Sequence, residues 1–147
     1  MRAQAGIVCV EAEHLRVVDG AVCIEVGEDA PVERPIAVRI YNRSDEDLEL
    51  SSPPFLSNRR FELVYPPAEP RTIYLGRGSE DYTPIEIQLS ADNSPQVCEV
   101  AFHGRLRPSL ERGTVSIFIL THGALPPVPD NGKQGEGGVL FGSTSAA

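Results

Sequence analysis

The chain has 147 residues, 41% of them hydrophobic and 23% charged, with a formal net charge of −8. This length suits one domain plus a tail, large enough to bury a core without disulfide staples. The acidic balance excludes nucleic acid and anionic membranes as principal partners, because phosphate binding needs clustered Lys and Arg.

The opening "MRAQAGIVCVEAEHL" reaches acidic residues too soon to hold the apolar core of a signal peptide, so a cytosolic setting is expected. No apolar run approaches the ~20 residues that cross a bilayer. "GIVCV" is a continuous apolar run, readable as a separate strand or as the start of the next one. "LRVVDGAVCIEV" is a hairpin, since Asp19-Gly20 suits a type I′ turn with φ > 0 at both centres. That turn sets Val17 opposite Val22, Leu15 opposite Ile24 and Glu13 opposite Val26. Leu15, Val17, Val22, Ile24 and Val26 then share one face, and His14, Arg16, Cys23 and Glu25 the other.

After a Gly/Pro/acid loop, "IAVRIYN" alternates, with Ile36, Val38 and Ile40 pointing one way and Ala37, Arg39 and Tyr41 the other. "RSDED" turns, and Leu48 and Leu50 continue the alternation. Pro53-Pro54 break the chain and leave Phe55 as a core plug. In "RFELVY", Phe61, Leu63 and Tyr65 fall on one face. "TIYL" is a short strand, and "PIEIQLS" points Ile85, Ile87 and Leu89 inward. In "VCEVAF", Cys98, Val100 and Phe102 oppose Val97, Glu99 and Ala101. "GRLRPSLERG" reads as a loop with one helical turn. "TVSIFIL" is apolar on both faces, as a central strand would be. No window carries a helical stripe over three turns. The pattern predicts an all-β antiparallel sandwich, immunoglobulin-like or jelly-roll-like, of about eight or nine short strands over residues 1–123, followed by a Pro/Gly-rich arm, residues 124–147.

The stretch "IAVRIYNRSDEDLELSSPPF" resembles the opening of intracellular immunoglobulin-like sandwich domains, through Ile36, Val38, Ile40, Asn42, Leu48, Leu50 and Phe55. The Cys…Trp…Cys signature of antibody domains is absent, since the chain has no Trp.

No residue constellation names a reaction. Gly76-Arg77-Gly78 lacks the third glycine and following helix of a nucleotide fingerprint, and Glu80 and Asp81 would repel phosphate. Asp45, Glu46 and Asp47 read as a solvated turn rather than a calcium loop. His103, His122 and Cys98 could converge only if strand ends meet. Cys9, Cys23 and Cys98, odd in number and without CxxC spacing, read as reduced thiols. Asn42-Arg43-Ser44 reads as a chance sequon. No nucleophile elbow is present, so the chain is expected not to be an enzyme and to use no cofactor or metal.

The arm raises a different possibility. Its polar, Gly-rich composition cannot offset ordering entropy alone, yet it carries Val139, Leu140 and Phe141 as an apolar hook. Pro126, Pro127 and Pro129 form a stiff spacer before it. An extended arm with a terminal anchor joins copies to one another or to a scaffold. In architecture the chain resembles the small β-rich decoration proteins of tailed-phage capsids. That resemblance implies a virion protein assembled in the host cytoplasm, a homo-oligomer such as a trimer, and a capsid or scaffold partner. The alternative is a cytosolic immunoglobulin-like ligand- or peptide-binding module, with a pocket between loops 76–84 and 105–113.

Overall fold

A computed structural model describes residues 1–26, 35–78, 80–89 and 95–126. Among these the alternating segments form strands β1 (Arg2–Ala5), β2 (Val8–Ala12), β3 (Leu15–Val18), β4 (Ala21–Val26), β5 (Ile36–Asn42) and β6 (Asp47–Ser52). They continue as β7 (Phe55–Leu56), β8 (Phe61–Tyr65), β9 (Arg71–Leu75), β10 (Tyr82–Leu89), β11 (Val97–Arg107) and β12 (Arg112–Thr121). One sheet runs β1-β2-β5-β10-β8; the other runs β3-β4-β12-β11-β6-β9, with β7 against β11. The all-β sandwich of the sequence reading is thus formed. All pairs are antiparallel except β12–β4, which is parallel.

The Asp19-Gly20 hairpin has the expected register, with Leu15 opposite Ile24 and Val17 opposite Val22. Both turn residues have positive φ, 49° and 83°, as a type I′ turn requires. The pairing of Glu13 with Val26 is not made. His14, at φ 53°, turns the chain out of the hairpin and into the first sheet, so β2 and β3 are separate strands. Val17 is 50% exposed despite sharing the parity of Leu15, because β3 is an edge strand.

The core is the set of inward positions from both sheets. Val10, Val38, Ile40, Ile85 and Ile87 face Val22, Leu48, Leu50, Val100, Phe102, Ile117 and Ile119, all essentially without solvent contact. Each such side chain contributes about 1.5–3 kcal/mol on burial. β12 lies between β11 and β4 and is buried on both faces, Ser116 and Leu120 included, as its doubly apolar sequence implies.

Three local expectations are corrected. Phe55 is 62% exposed rather than a core plug, because β7 pairs with β11 in a register that puts Leu56 beside the buried Val100 and Phe55 beside the less buried Ala101. Tyr65 leaves the face of Phe61, because a bulge shifts the register and sets Tyr65 opposite Glu86 and Leu63 opposite Ile87. Residues 104–107 are strand rather than loop. β11 and β12 pair as far as Arg105 and Arg112, and the reversal closes with the Leu106 N–H on the Glu111 carbonyl at 2.8 Å.

Asn42, at the end of β5, is fully buried. Its Nδ2 donates to the carbonyls of Glu46 at 2.8 Å and Leu75 at 2.9 Å. Its Oδ1 accepts from Ser44 N at 2.9 Å and Ser44 Oγ at 2.7 Å. The amide's whole hydrogen-bonding capacity is used, and it links the first sheet to β9 of the second. An amide so enclosed is closed to a glycan, so the sequon is a by-product of the turn.

Asn42→Ala strands the buried Leu75 carbonyl, while the Glu46 carbonyl keeps Ser44 Oγ at 2.8 Å, and should lower the unfolding free energy in urea by about 2 kcal/mol. Ser116→Ala should act in the opposite direction. The Ser116 hydroxyl is buried without a hydrogen-bond partner, and its removal should raise stability by about 1 kcal/mol in the same assay.

Candidate functional site

The two long sides of the sandwich differ. On one, β1 packs against β3 and β4 and closes the gap between the sheets. On the other lies β9, which among the described residues pairs only with β6. Its second edge faces a groove of about 350 Å³, lined by Tyr65, Arg71, Ile73, Tyr74, Tyr82 and Pro84 among others. An edge strand presents unpaired N–H and C=O groups, a template for another strand. The groove walls supply aromatic surface beside it. Tyr74 is 71% exposed and Tyr82 41%.

Local chemistry holds the walls. Pro84 takes a strand position in β10 opposite Arg39. Tyr82 stands opposite Tyr41 on β5, with ring centroids 5.3 Å apart. The Arg39 guanidinium lies 4.8 Å from the Tyr82 ring centre, and that of Arg2 lies 4.8 Å from Tyr41. Glu11 joins these cations, accepting from Arg2 Nε at 2.7 Å, from Arg39 Nη1 at 3.4 Å and from the Tyr41 hydroxyl at 3.3 Å. The Arg2 hydrogen bond holds the Glu11 carboxyl below the usual carboxylate range. On the facing wall, Arg71 Nη2 donates to the Tyr65 hydroxyl at 3.3 Å. The result is a pre-positioned aromatic and cationic rim along an open strand edge.

The loops at one end are tied together by the acidic turn. Glu46 Oε1 accepts from Ser109 N at 2.7 Å. Asp47 Oδ1 accepts from Arg77 N at 3.0 Å and Arg77 Nε at 3.3 Å. Two of the three turn carboxylates are therefore engaged within the chain, and the backbone of the Gly76-Arg77-Gly78 turn addresses Asp47 rather than a phosphate. Asp81–Pro84 line the β9 groove, while Arg105 and Arg112 line a separate depression on the outer face of the second sheet.

Among the described residues no group of three or more His, Cys, Asp or Glu is placed to hold a metal. His103 and Cys98 lie on opposite faces of β11, Cys98 buried and His103 exposed, so they do not converge. All three cysteines are buried and unpaired with one another. Burial pushes the Cys23 and Cys98 thiols up, which suppresses thiolate chemistry. No helix of the described residues is long and apolar enough to cross a membrane.

Of the arm residues, Pro126 is half-buried at the end of the described chain. It follows a turn in which Ala124 N donates to the Thr121 carbonyl at 3.0 Å. Pro127, Pro129, Val139, Leu140 and Phe141 lie outside the described residues. Of the groove residues, Tyr82 falls in the 76–84 loop named in the alternative reading, whereas Tyr65, Arg71 and Tyr74 were not singled out by sequence as a site. The available signals were a proline inside the strand "YTPIEIQL" and the exposed aromatic of a short strand framed by "PPAEP" and "GRG".

No protein-family model and no curated protein matches the chain. Among solved structures it is similar to WR4, an MSP family member of C. elegans, at 12% identity over 66% of this chain and 91% of that one, with a TM-score of 0.45. It is also similar to the YadV chaperone, at 12% identity over 85% of this chain and 55% of that one, with a TM-score of 0.47. Likenesses this distant carry no argument about activity or partner.

The acidic clasp has a pH consequence. Backbone and side-chain hydrogen bonds from Arg77 hold the Asp47 carboxyl below its usual range. A folded-state value lower than the unfolded one contributes stability that is complete above the usual carboxylate range and is lost as pH falls through the folded value. Asp47→Asn should therefore flatten the acid limb of a melting-temperature profile between about pH 2 and 6 and leave its neutral limb parallel to the wild type.

Proposed function

We propose that this chain is a non-enzymatic structural module that binds and reinforces a larger assembly by strand addition at its open edge. The carrying observation is β9, with one edge unpaired among the described residues and a tyrosine-lined groove beside it. Main-chain hydrogen bonds to such an edge supply affinity, and pockets for alternate side chains supply specificity.

The occupant that fits is the arm of a second copy. β9 has five residues, an extended length of about 17 Å. The arm offers the five-residue run Gly138-Val139-Leu140-Phe141-Gly142, apolar at its centre and free of proline. Glu136 just before it complements Arg71 on the groove wall. Pro126, Pro127 and Pro129 space the hook from the sandwich. In its specific form this is a virus-capsid decoration or cement protein, self-associating and docked on a capsid protein in a virion assembled in the host cytoplasm. The compact acidic β domain and the arm support that form.

A second reading uses the same groove in a monomer, as an immunoglobulin-like module that takes an extended peptide from another protein. The contribution of Asp81, Tyr82 and Pro84 to the lining favours it, since that segment was the expected binding loop.

Light scattering on the full chain and on a chain ending at residue 123 separates these readings. Arm exchange predicts an oligomer that becomes a monomer on truncation, with the melting temperature of the core preserved. Tyr74→Lys in the full chain should reproduce the loss, because charge on an edge strand opposes pairing. The same oligomeric state for all three proteins would rule out exchange through β9. A monomeric full chain that binds extended apolar peptides of unrelated sequence in the groove, and not a peptide of residues 136–145, would select the second reading.

A further inference from the structure

On the outer face of the second sheet, β12, β11, β6 and β9 lie side by side and carry an unusual charge arrangement. Arg112 stands directly opposite Arg105. Like charges in that relation are destabilising without a counter-charge. Glu49, opposite Arg105 on the other side, supplies part of one. Its side chain is only 9% exposed, with Oε1 at 3.0 Å from Arg105 Nη2 and Oε2 at 3.4 Å from Arg107 Nη1. Both carboxylate oxygens are thereby used on Arg105 and Arg107. The Arg112 side chain makes no ion pair or hydrogen bond with any described residue, its ladder pairing to β11 running through the backbone alone.

Between these side chains is a depression of about 240 Å³, lined by Glu49, Ser51, Thr72, His103, Arg105 and Arg112 among others. Ser51 and Thr72 are cross-strand partners. Their hydroxyls likewise have no hydrogen bond to a described residue. Three guanidiniums thus surround one neutralised carboxylate, on a protein whose formal net charge is −8. A local field opposite in sign to the rest of the surface concentrates anions there. The guanidinium fork of Arg112, the His103 imidazole and two hydroxyls supply donors from all four strands. Such spread suits the three-oxygen face of a tetrahedral oxyanion better than a planar carboxylate.

We propose that this depression binds a phosphate or sulfate group, either free in solution or carried as a phosphate monoester on a partner's side chain. Arg112 is the principal ligand. Arg105 is held in place by Glu49, and Thr72 and Ser51 complete the cradle. The proposal does not rest on strand addition at β9, although Thr72 lines both the depression and the groove.

The test is a titration of the isotope-labelled full chain, read by amide chemical shifts, with sodium phosphate or sulfate at constant ionic strength and chloride as the control anion. Saturable shifts at residues 51, 72, 103–105 and 112 are expected with phosphate and sulfate and not with chloride. Arg112→Gln, at an exposed strand end, should weaken binding about tenfold at a melting temperature no lower than that of the wild type, since it also relieves the like-charge pair with Arg105. Glu49→Gln should tighten it, because Arg105 and Arg107 are then left uncompensated. A phosphoserine peptide that binds more tightly than inorganic phosphate, with its unphosphorylated form silent, would place the group on a partner. Equal affinity would place it in solution. Shifts that track ionic strength without saturating, or an Arg112→Gln variant that binds as the wild type does, would overturn the proposal.

Discussion

One buried amide sets the geometry from which the rest follows. Asn42 ends β5 in one sheet and reaches across the sandwich to the carbonyl of Leu75 in β9 of the other, while also holding Glu46 and Ser44 in the turn between β5 and β6. Hydrophobic burial brings two sheets together without fixing their offset, because it is non-directional. The directional Asn42–Leu75 hydrogen bond at 2.9 Å does constrain it at this end. An apolar residue at this position would leave polar groups stranded; an unrelated polar residue could not both donate twice and accept twice. The acidic turn then extends the same order outward, with Glu46 and Asp47 securing the backbone of Ser109 and Arg77. A run of carboxylates that reads as mere solubility is a clasp for three loops.

The second organising constraint is the unequal treatment of the two sides. With β1 folded against β3 and β4, one gap between the sheets is sealed. On the β9 side, Arg71 and Tyr65 meet at the rim, and no other described strand pairs with the second edge of β9. A protein that exposed such an edge by accident would risk aggregation, and natural edges are commonly blunted by charge, bulges or proline. The bulge that rotates Tyr65 and the proline at position 84 shape the neighbouring strands, while β9 itself, "RTIYL", keeps two β-branched residues and an exposed tyrosine. That contrast gives the strand-addition reading its physical content.

Much of the core was legible because burial in a two-sheet protein follows parity. Ile36 to Ile40, Leu48 to Leu50, Ile85 to Ile87 and Cys98 to Phe102 alternate strictly, and the Asp19-Gly20 turn dictates its own register. Legibility ends where tertiary pairing overrides local pattern. β1, "RAQA", carries no strand signal and exists because β2 offers it a partner. Phe55 and Tyr65 were misplaced because a two-residue strand and a bulge each change facing in a way that composition does not record. The extensions of β11 and β12 were hidden by glycines at 104 and 113, which face each other in the ladder and so read as loop in one dimension. The candidate groove draws on β8, β9 and β10, and the oxyanion cradle on four strands. No window of sequence contains either set, and no motif spacing could have assembled them.

The single parallel pairing governs the order in which the molecule can be built. β4, complete by residue 26, finds its inner neighbour only in β12, which ends at residue 121. Until that strand emerges during synthesis, the β3–β4 hairpin has no sheet to join, and an isolated hairpin is marginal in water. Contacts of such long sequence separation place folding toward the slow end for domains of this size. The β3–β4 hairpin is therefore a late arrival in the second sheet despite being made early, and the cell holds an unfinished sandwich with open hydrophobic edges until β12, the last of the described strands, is available.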